Sequence, residues 1–340
     1  MASSESPVAI VGAGPMVIAC AIELSHRGVA AVCYDKGFLL DTIYHFPEEM
    51  RWFSTRDLLD IAGVPFTSPD AHPTRLDSLA YYRGVAEKFR VRVAPHTRVH
   101  EIRSHPSGGL LLSIEDRAGR REIAAPAAIF ATGFFGNPRR LDVPGEDLPH
   151  VHRRFVSAYP FHDRDVVVIG SKNSAAEAAL DLYRHGARVT LVARGEAISD
   201  RVKYWIKPDL ENRIRAGAIR ALFRTRIVEI TSGTVLVDGA GGRLAIGADA
   251  VFPLIGYEPD FTLFQTSGIR LEGPNRVPAY DPDTLETNVP NLYLAGAILG
   301  GTEIGRIFIE NSRHHAGLIA SAIARRLSAV TAGSNSSSAP

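Results

Sequence analysis

Two glycines and an aspartate near the start of the chain have the types and spacing of a dinucleotide-binding site. Gly12 and Gly14 follow an apolar run that begins at Pro7, and Asp35 ends the next apolar run. Glycine lets the backbone approach a pyrophosphate, the N-terminus of the next helix attracts the phosphate, and an acid roughly 20 residues later accepts from a ribose hydroxyl. The pattern therefore predicts that these three residues bind a dinucleotide.

A second copy of this pattern begins near the middle of the chain. Gly170 and Ala175 keep the first and third small positions, but Lys172 replaces the middle glycine and the second apolar run ends in Arg194. An acid at that last position would repel a 2′-phosphate, whereas an arginine binds one through charge-assisted hydrogen bonds. The second copy is therefore predicted to bind NADPH in preference to NADH.

Two β-α-β units are needed to position these residues. In each copy an apolar run, a glycine turn, a helical stretch and a second apolar run follow one another, and Gly12 pairs with Gly170, and Gly28 with Gly186, at a constant offset. The predicted fold class is α/β, with two Rossmann-like dinucleotide-binding domains. An acid in one copy and an arginine in the other indicate a bound FAD and an exchangeable NADPH, with hydride transfer between them.

Each β-α-β unit is followed by a hairpin region, and the chain ends with a further strand and a long helix. Hairpins are predicted over 98–123 and 225–246, and each hairpin region leads into an apolar strand that ends in glycine. The segment 287–297 is typical of a strand that runs into a turn, and 307–327 of a long helix. We expect this closing segment to pack on the first unit.

The overall composition excludes several function classes. The chain has 38 Lys and Arg against 37 Asp and Glu, a net charge of +1, so it lacks the basic excess of a nucleic-acid or anionic-membrane protein. No apolar run approaches the ~20 residues of a membrane span, and the first residues lack the pattern of a signal peptide. Two cysteines exclude a disulfide framework and a cysteine-ligated zinc site. We expect a cytoplasmic protein that binds no nucleic acid, membrane or metal.

Six longer motifs narrow the interpretation. They are Asp41 to Ser54, Val64 to Phe66, Tyr81 to Arg83, Ile169 to Ala175, Lys203 to Pro208 and Ile307 to His315. These motifs resemble the YpdA-type bacillithiol disulfide reductases, a group of thioredoxin-reductase-like FAD/NADPH oxidoreductases. The resemblance covers nearly the whole chain up to about Leu327.

The resemblance implies a domain organisation. An FAD-binding domain would take 1–145 and 257–328, and an NADPH-binding domain, 146–256, would be inserted in it. The low-complexity stretch 329–340 is predicted to be a disordered tail. A homodimer or a higher homo-oligomer is also expected.

The resemblance also implies further site residues. His45 and His315 are candidate proton donors, and each could instead be a structural, hydrogen-bonded histidine. The aromatic stretch from Tyr44 to Phe53 could cover a flavin face or form a small core of its own. Lys203 could contact a phosphate or an acidic substrate, or be a solvated surface lysine. The remaining predicted cofactor contacts are Pro15, Met16, Lys36, Tyr44, Phe53, Thr132, Gly133, Asn173, Ser174, Gly296, Ala297 and Ile307.

One departure from the family bears on the chemistry. The bacillithiol reductases have Pro-Cys-Gly after the second glycine, and here those positions are Pro15, Met16 and Val17. A thioether forms neither a thiolate nor a mixed disulfide. Cys20 and Cys33 lie in a predicted helix and a predicted strand, where a cysteine is usually a small buried hydrophobe. The family's disulfide chemistry is therefore not expected to use a thiol of this chain.

Three functions remain open at this point. The first is an NADPH-dependent flavoprotein that passes electrons to an unidentified acceptor, either a small molecule or a small redox protein; ferredoxin or flavodoxin, a quinone and a low-molecular-weight disulfide are the candidates. The second is a flavin monooxygenase, which the segment Gly145 to His152 followed by the motif Val166 to Ala175 also resembles. The third is a non-catalytic nucleotide sensor, which would fit the loss of glycine at Val17 and Lys172. The first function is favoured.

Overall fold

The computed structural model describes residues 6–303 and 305–336. It divides into two compact units. The first takes the chain up to His45, Met50–Asn137, and the residues from Glu258 on. The second takes Phe46–Glu49 and Pro138–Tyr257. Each unit is described by itself below.

The described residues form seventeen strands and eight α-helices. The strands are β1 (Val8–Val11), β2 (Ala31–Tyr34), β3 (Val93–Ala94), β4 (Arg98–Ser104), β5 (Leu110–Asp116), β6 (Gly119–Ala125), β7 (Ala128–Phe130), β8 (Asp165–Ile169), β9 (Arg188–Val192), β10 (Arg220–Leu222), β11 (Arg226–Ile230), β12 (Thr234–Gly239), β13 (Gly242–Gly247), β14 (Ala250–Pro253), β15 (Leu271–Glu272), β16 (Val277–Pro278) and β17 (Leu292–Leu294). The helices are α1 (Pro15–His26), α2 (Asp41–Tyr44), α3 (Arg75–Lys88), α4 (Asn173–Arg184), α5 (Lys207–Arg215), α6 (Phe261–Thr266), α7 (Ile309–Ser312) and α8 (His315–Ser336).

The first unit is built on a parallel sheet with the order β17-β7-β1-β2-β3. β1 is buried along its whole length and pairs in parallel with β2 on one side and with β7 on the other. Continuous apolar strands of this kind are typical of a parallel sheet that is covered on both faces. The carboxyl ends of these strands meet at one edge of the sheet, where Gly12, Asp35 and Thr132 follow them.

α1 connects β1 to β2 and supplies much of the core of this unit. Pro15 stands in its first turn, where the missing N–H costs no intrahelical hydrogen bond. The helix ends just before Gly28, whose φ of +72° is the left-handed conformation that favours glycine. α8 packs against α1. The closing segment thus completes the first unit, as expected.

The second unit is a parallel sheet with the order β10-β9-β8-β14, and its two faces are covered differently. Along β8, Val166 and Val168 pack into a core with α4, whereas Val167 and Ile169 pack against the antiparallel sheet β11-β12-β13. This alternation follows from the two-residue period of a strand. The hairpins predicted over 225–246 and 98–123 are confirmed as β11–β13 and as the antiparallel sheet β4-β5-β6.

Two predicted boundaries differ from the structure. Residues 138–145, which the sequence analysis placed in the first domain, lie in the second unit because Pro138 forms a β-bridge with Tyr257 and the backbone N–H of Arg139 donates to Gly256. α8 continues to Ser336, so a helix extends into the predicted disordered tail, and 337–340 lie outside the described residues. Within the described ranges, no helix is long and apolar enough to cross a membrane.

Gly145 should be the glycine that the second unit tolerates least to lose. Its φ is +81°, and a Cβ there would overlap the carbonyl oxygen of Ile230. Gly217 has a similar φ, +73°, but open space around it. We expect Gly217→Ala to cost roughly 1–2 kcal/mol from the left-handed backbone alone, and Gly145→Ala to cost roughly 1–3 kcal/mol more from overpacking. Urea-induced unfolding of the two variants measures the difference, and equal losses would show that the Ile230 backbone moves aside.

Candidate functional site

The first glycine turn is held close to the end of the neighbouring strand. The N–H of Gly12 donates to the carbonyl of Tyr34, and a Cβ at Gly12 would lie 2.9 Å from the carbonyl oxygen of Ala131. Gly12 also has a φ of +119°, so both space and backbone conformation require glycine. Val17, at the third position of the motif, is fully buried beneath this turn. The valine therefore packs in place of the usual small residue.

Gly14 is a glycine for a different reason. Its backbone is extended, with φ −87° and ψ −175°, which any residue adopts, and a Cβ there would contact no protein atom within 4 Å. Gly14 caps the N-terminus of α1, whose first turn holds no acidic residue. Nothing within the chain requires glycine here. The free space in front of a helix N-terminus is what a dinucleotide pyrophosphate needs.

Thr132 and Gly133, directly after β7, add to this edge. The Oγ1 atom of Thr132 is buried and has no hydrogen-bond partner among the described residues. Gly133 has a φ of +62° with open space around its Cα. A buried hydroxyl without a partner is uncommon in folded proteins, and a bound polar ligand explains it. Both residues therefore fit the predicted flavin site.

Asp35 lies at the end of β2, at the same edge of the sheet. Its Oδ1 accepts from the backbone N–H of Gly37 at 2.7 Å. Burial raises the pKa of this carboxyl above its ordinary value, and the Gly37 hydrogen bond opposes that rise. The exposed Lys36 follows it. One oxygen of Asp35 is thus used to fix the loop, and the position matches that of a ribose-binding acid.

Met16 lies in a buried contact between three segments. Its Cγ would be 3.0 Å from a Cβ at Gly296, whose φ is +80°. The hydroxyl oxygen of Ser312, which donates to the carbonyl of Phe308 at 2.5 Å, lies 3.5 Å from the Met16 Sδ. Met16 is only 8% exposed. Ala297 and Ile307, also predicted to line the cofactor, are half-buried near this contact in sequence. The thioether fills the position that the resemblance assigns to a thiol.

His315, the first residue of α8, also contacts the turn at Gly296. Its Nδ1 accepts from the backbone N–H of Gly296 at 3.2 Å. The side chain is buried, and burial together with the neighbouring His314 lowers the pKa of His315 to about 4. The ring is therefore neutral at pH 7, and its proton is on Nε2. A role as proton donor stays a prediction for this residue.

Two of the four aromatic side chains of the predicted segment are exposed, whereas Phe46 is buried and Trp52 half-buried. Tyr44 is 52% exposed and Phe53 60% exposed. The ring of Tyr44 packs edge-on against Phe38, and its carbonyl accepts from Arg75 at 2.6 Å. Nδ1 of His45 lies 2.8 Å from the carbonyl oxygen of Asp41 in α2. Whether these side chains meet a flavin stays a prediction.

The second unit repeats the glycine geometry of the first. A Cβ at Gly170, with φ +137°, would lie 2.6 Å from the carbonyl oxygen of Leu254 and 3.0 Å from Ala175. Lys172 caps α4 with φ −102° and ψ −173°, nearly the conformation of Gly14. The backbone at Lys172 is therefore unstrained, and the replacement of the middle glycine by lysine does not disturb the turn.

Three side chains at this edge of the second unit remain available to a ligand. Lys172, Ser174 and Arg194 are exposed, and the side chains of none of them bond to another residue of the described part of the chain. Arg194 follows β9, at the carboxyl end of the parallel sheet, where α/β folds bind nucleotides. This arrangement fits the predicted 2′-phosphate contact.

Two predicted contacts have different surroundings from those expected. Lys203 is not a solvated surface lysine: it is 6% exposed, and its Nζ lies 2.7 Å from a carboxylate oxygen of Glu177. The amide of Asn173 is used at both ends, since its Oδ1 accepts from the N–H of Lys203 and its Nδ2 donates to the carbonyl of Arg201. These contacts fasten the loop after β9 to the start of α4.

Both cysteines are buried and unreactive in their surroundings. Burial raises the pKa of the Cys20 thiol far above its ordinary value and that of Cys33 to about 12. Neither forms a thiolate at neutral pH, as the sequence indicated. No three His, Cys, Asp or Glu residues of the described ranges are grouped as a metal site.

Sequence reasoning assigned no role to Ser312 and Glu177. Ser312 lies three residues before His315, a spacing that would bring both side chains to one face of a continuous helix, although in the structure Ser312 ends α7 and His315 begins α8. That spacing could have linked Ser312 to the cofactor edge. Glu177 lies in α4, the helix that begins in the motif Ile169 to Ala175. Its pairing with Lys203 depends on how the loop after β9 folds back onto that helix.

Comparisons with known proteins agree with this geometry. A profile described as pyridine nucleotide-disulphide oxidoreductase matches residues 9–296. The chain is 36% identical over 318 residues to the bacilliredoxin reductase Bdr of Bacillus subtilis strain 168, which covers 93% of this chain and 97% of that protein.

Solved structures give the same result. Bacillithiol disulfide reductase Bdr (YpdA) from Bacillus cereus superposes with a TM-score of 0.91 at 37% identity, over 94% of this chain and 99% of that chain. The Staphylococcus aureus protein of the same name gives 0.89 at 34% identity, over 94% and 98%. The thioredoxin reductase of T. acidophilum, at 19% identity and a TM-score of 0.72, shows the shared fold alone. The chain therefore belongs to the Bdr (YpdA) family of pyridine nucleotide-disulphide oxidoreductases, and it is a flavoprotein oxidoreductase of thioredoxin-reductase-like α/β fold.

Proposed function

We propose that this protein oxidises NADPH, reduces a bound FAD, and passes the electrons to an acceptor without using a thiol of its own. The observation that carries the proposal is Met16, a buried thioether at the second residue of α1. Membership of the Bdr family gives the general activity, that of a flavin NAD(P)H oxidoreductase. The preference for NADPH and the route of the electrons to the acceptor are what we propose.

The burial of both cysteines supports a route without a thiol. Thiol–disulfide exchange begins with attack by a thiolate, so the attacking group must be ionised and accessible. Cys20 and Cys33 are fully buried with raised pKa values, and Met16 has no proton to lose. A disulfide substrate would therefore have to accept electrons directly from the flavin.

The residues at the edge of the first unit would hold FAD. Gly12 allows the tight turn that starts α1, and Gly14 leaves room for the pyrophosphate in front of that helix. Asp35 offers an acceptor to the ribose, and Thr132 offers a hydroxyl without a partner among the described residues. FAD supplies the centre that takes up the hydride. The chain's part is to bind, orient and shield that centre.

The corresponding edge of the second unit would hold NADPH. Arg194 gives a guanidinium for the 2′-phosphate and Lys172 a second positive charge at the N-terminus of α4. No acid takes the place of Asp35 in this copy. The charge at this edge therefore favours the phosphorylated cofactor.

A ferredoxin or a flavodoxin is the second candidate acceptor. Ferredoxin–NADP reductases are among the relatives, for example that of Ignicoccus hospitalis at 25% identity over 85% of this chain and 88% of that protein. Ferredoxins and flavodoxins accept single electrons from a reduced flavin, so a reductase that serves them needs no thiol. The flavin monooxygenases from Stenotrophomonas maltophilia are 21% identical to this chain and share its fold alone.

Gly14→Val tests the flavin site. The added side chain would enter the space before α1 that the chain itself leaves empty, so we expect purified protein with little or no bound flavin, seen as loss of absorbance near the flavin maximum. The control is Gly84→Val, since Gly84 is exposed in α3 and also has free space around it. Full flavin occupancy in Gly14→Val would place the pyrophosphate elsewhere.

Arg194→Ala tests the cofactor preference. Loss of a charge-assisted contact costs about 1.5–3 kcal/mol, so the KM for NADPH should rise roughly 10- to 150-fold while the KM for NADH changes little. Arg243→Ala, which removes an exposed arginine of β13, should alter neither value. Steady-state kinetics with both cofactors measure the effect. Equal changes for NADPH and NADH would contradict the assignment.

Met16→Cys tests the route without a thiol. Cysteine is smaller than methionine, so the change opens space at this turn, and the N-terminus of α1, with no acid in its first turn, stabilises a thiolate that could attack a disulfide. We expect turnover with bacillithiol disulfide to appear or to increase in Met16→Cys but not in Met16→Ser, which is similar in size and lacks the thiol.

A second set of variants tests whether either native cysteine carries electrons. Cys20→Ala and Cys33→Ala should leave NADPH consumption with an artificial acceptor intact, because neither thiol is ionised or exposed. A wild-type protein that reduces bacillithiol disulfide, and loses that activity in either alanine variant, would refute the proposed route.

A further inference from the structure

The turn that follows β17 is fastened by a side chain from the start of α8. The N–H of Ala295 donates to the carbonyl of Phe130 in β7, which is the last bond of the turn to the sheet. The next N–H, that of Gly296, donates to Nδ1 of His315 at 3.2 Å. We propose that His315 is a positioning residue of the flavin site, which holds the Gly296 turn through this hydrogen bond.

The turn needs such a partner. Gly296 is buried, and because the N–H of Ala295 already donates to β7, the next N–H, that of Gly296, points away from this ladder. A buried N–H without an acceptor is destabilising. His315 is buried as well, so water does not replace it easily. The imidazole therefore fixes both the direction of the turn and the first residue of α8.

The contact extends to the start of α1. Met16 packs against Gly296 so closely that a Cβ there would lie 3.0 Å from its Cγ. The hydroxyl oxygen of Ser312, the last residue of α7, lies 3.5 Å from the sulfur of Met16. Gly296, Met16, Ser312 and His315 thus form one buried cluster. A shift of the Gly296 turn would therefore move Met16, which lies at the start of α1 beside the proposed pyrophosphate site.

The protonation state of the ring follows from the hydrogen bond. An Nδ1 that accepts from a backbone N–H carries no proton, so a neutral His315 has its proton on Nε2. Burial and the adjacent His314 keep the ring neutral, since they lower its pKa to about 4. In this inference His315 acts through the backbone that it holds, and its role as a proton donor stays a separate prediction.

This inference rests on the proposal that FAD lies against the Gly296 turn, and the tautomer of His315 tests it independently of activity. In flavin-loaded protein labelled with ¹⁵N-histidine, the resonance lost in His315→Asn identifies His315 among the 12 histidines. We expect Nδ1 to show the shift of an unprotonated imidazole nitrogen and Nε2 that of a protonated one. A protonated Nδ1 would overturn the inference.

Two nearly isosteric variants test the positioning role. The Oδ1 of asparagine can accept where Nδ1 does, whereas leucine cannot. We expect His315→Leu to raise the FAD dissociation constant roughly 5- to 150-fold, because it leaves the N–H of Gly296 unpaired, and to change the visible circular dichroism of the bound flavin. His315→Asn should restore both. His26→Leu, at an exposed histidine in the last turn of α1, is the control and should change neither.

The outcomes separate this inference from the proposed function. If His315→Asn and His315→Leu are equally impaired, the hydrogen bond does not position the turn and the inference fails. If His315→Leu does not fold, the tautomer in the wild-type protein decides. A wild-type protein that binds no FAD would refute the proposed function, whatever the state of the ring.

Discussion

The close approach of a glycine to the next strand's carbonyl is the constraint on which both units depend. Gly12 lies against the carbonyl of Ala131, and Gly170 against that of Leu254, at distances that leave no room for a Cβ. Each contact sets where the helix starts relative to the ends of the strands beside it. The dipole and free N–H groups of that helix then point at the edge of the sheet where a phosphate can bind.

The two copies reuse this constraint for different ligands. The third motif position can be a buried valine, as at Val17, or an alanine, as at Ala175, because the helix start is set by the backbone contact. The middle position can be Gly14 or Lys172, since the backbone there is extended in both. What differs between the copies is the charge at the end of the second strand, Asp35 or Arg194. Ligand preference is thus separated from the geometry of the turn.

The position of Met16 shows how little the fold depends on the family's chemistry. The thioether packs in a buried contact with Gly296 and Ser312, so the turn is closed and well packed without a thiol. A flavoprotein with this packing retains the residues that fit FAD and lacks a group that could form a mixed disulfide.

The sequence by itself determined the duplication, the glycine turns, the choice of Asp35 or Arg194, and the replacement of the reactive cysteine. These features are local, because they depend on residue type and on spacing within one β-α-β unit. Only the tertiary structure decided the surroundings of Lys203 and of His315. Lys203 is buried and forms an ion pair with Glu177, and the imidazole of His315 accepts from a turn that a different element supplies. Such contacts join segments whose separation in sequence carries no signal, such as Met16 and Ser312, which is why residue patterns could not predict them.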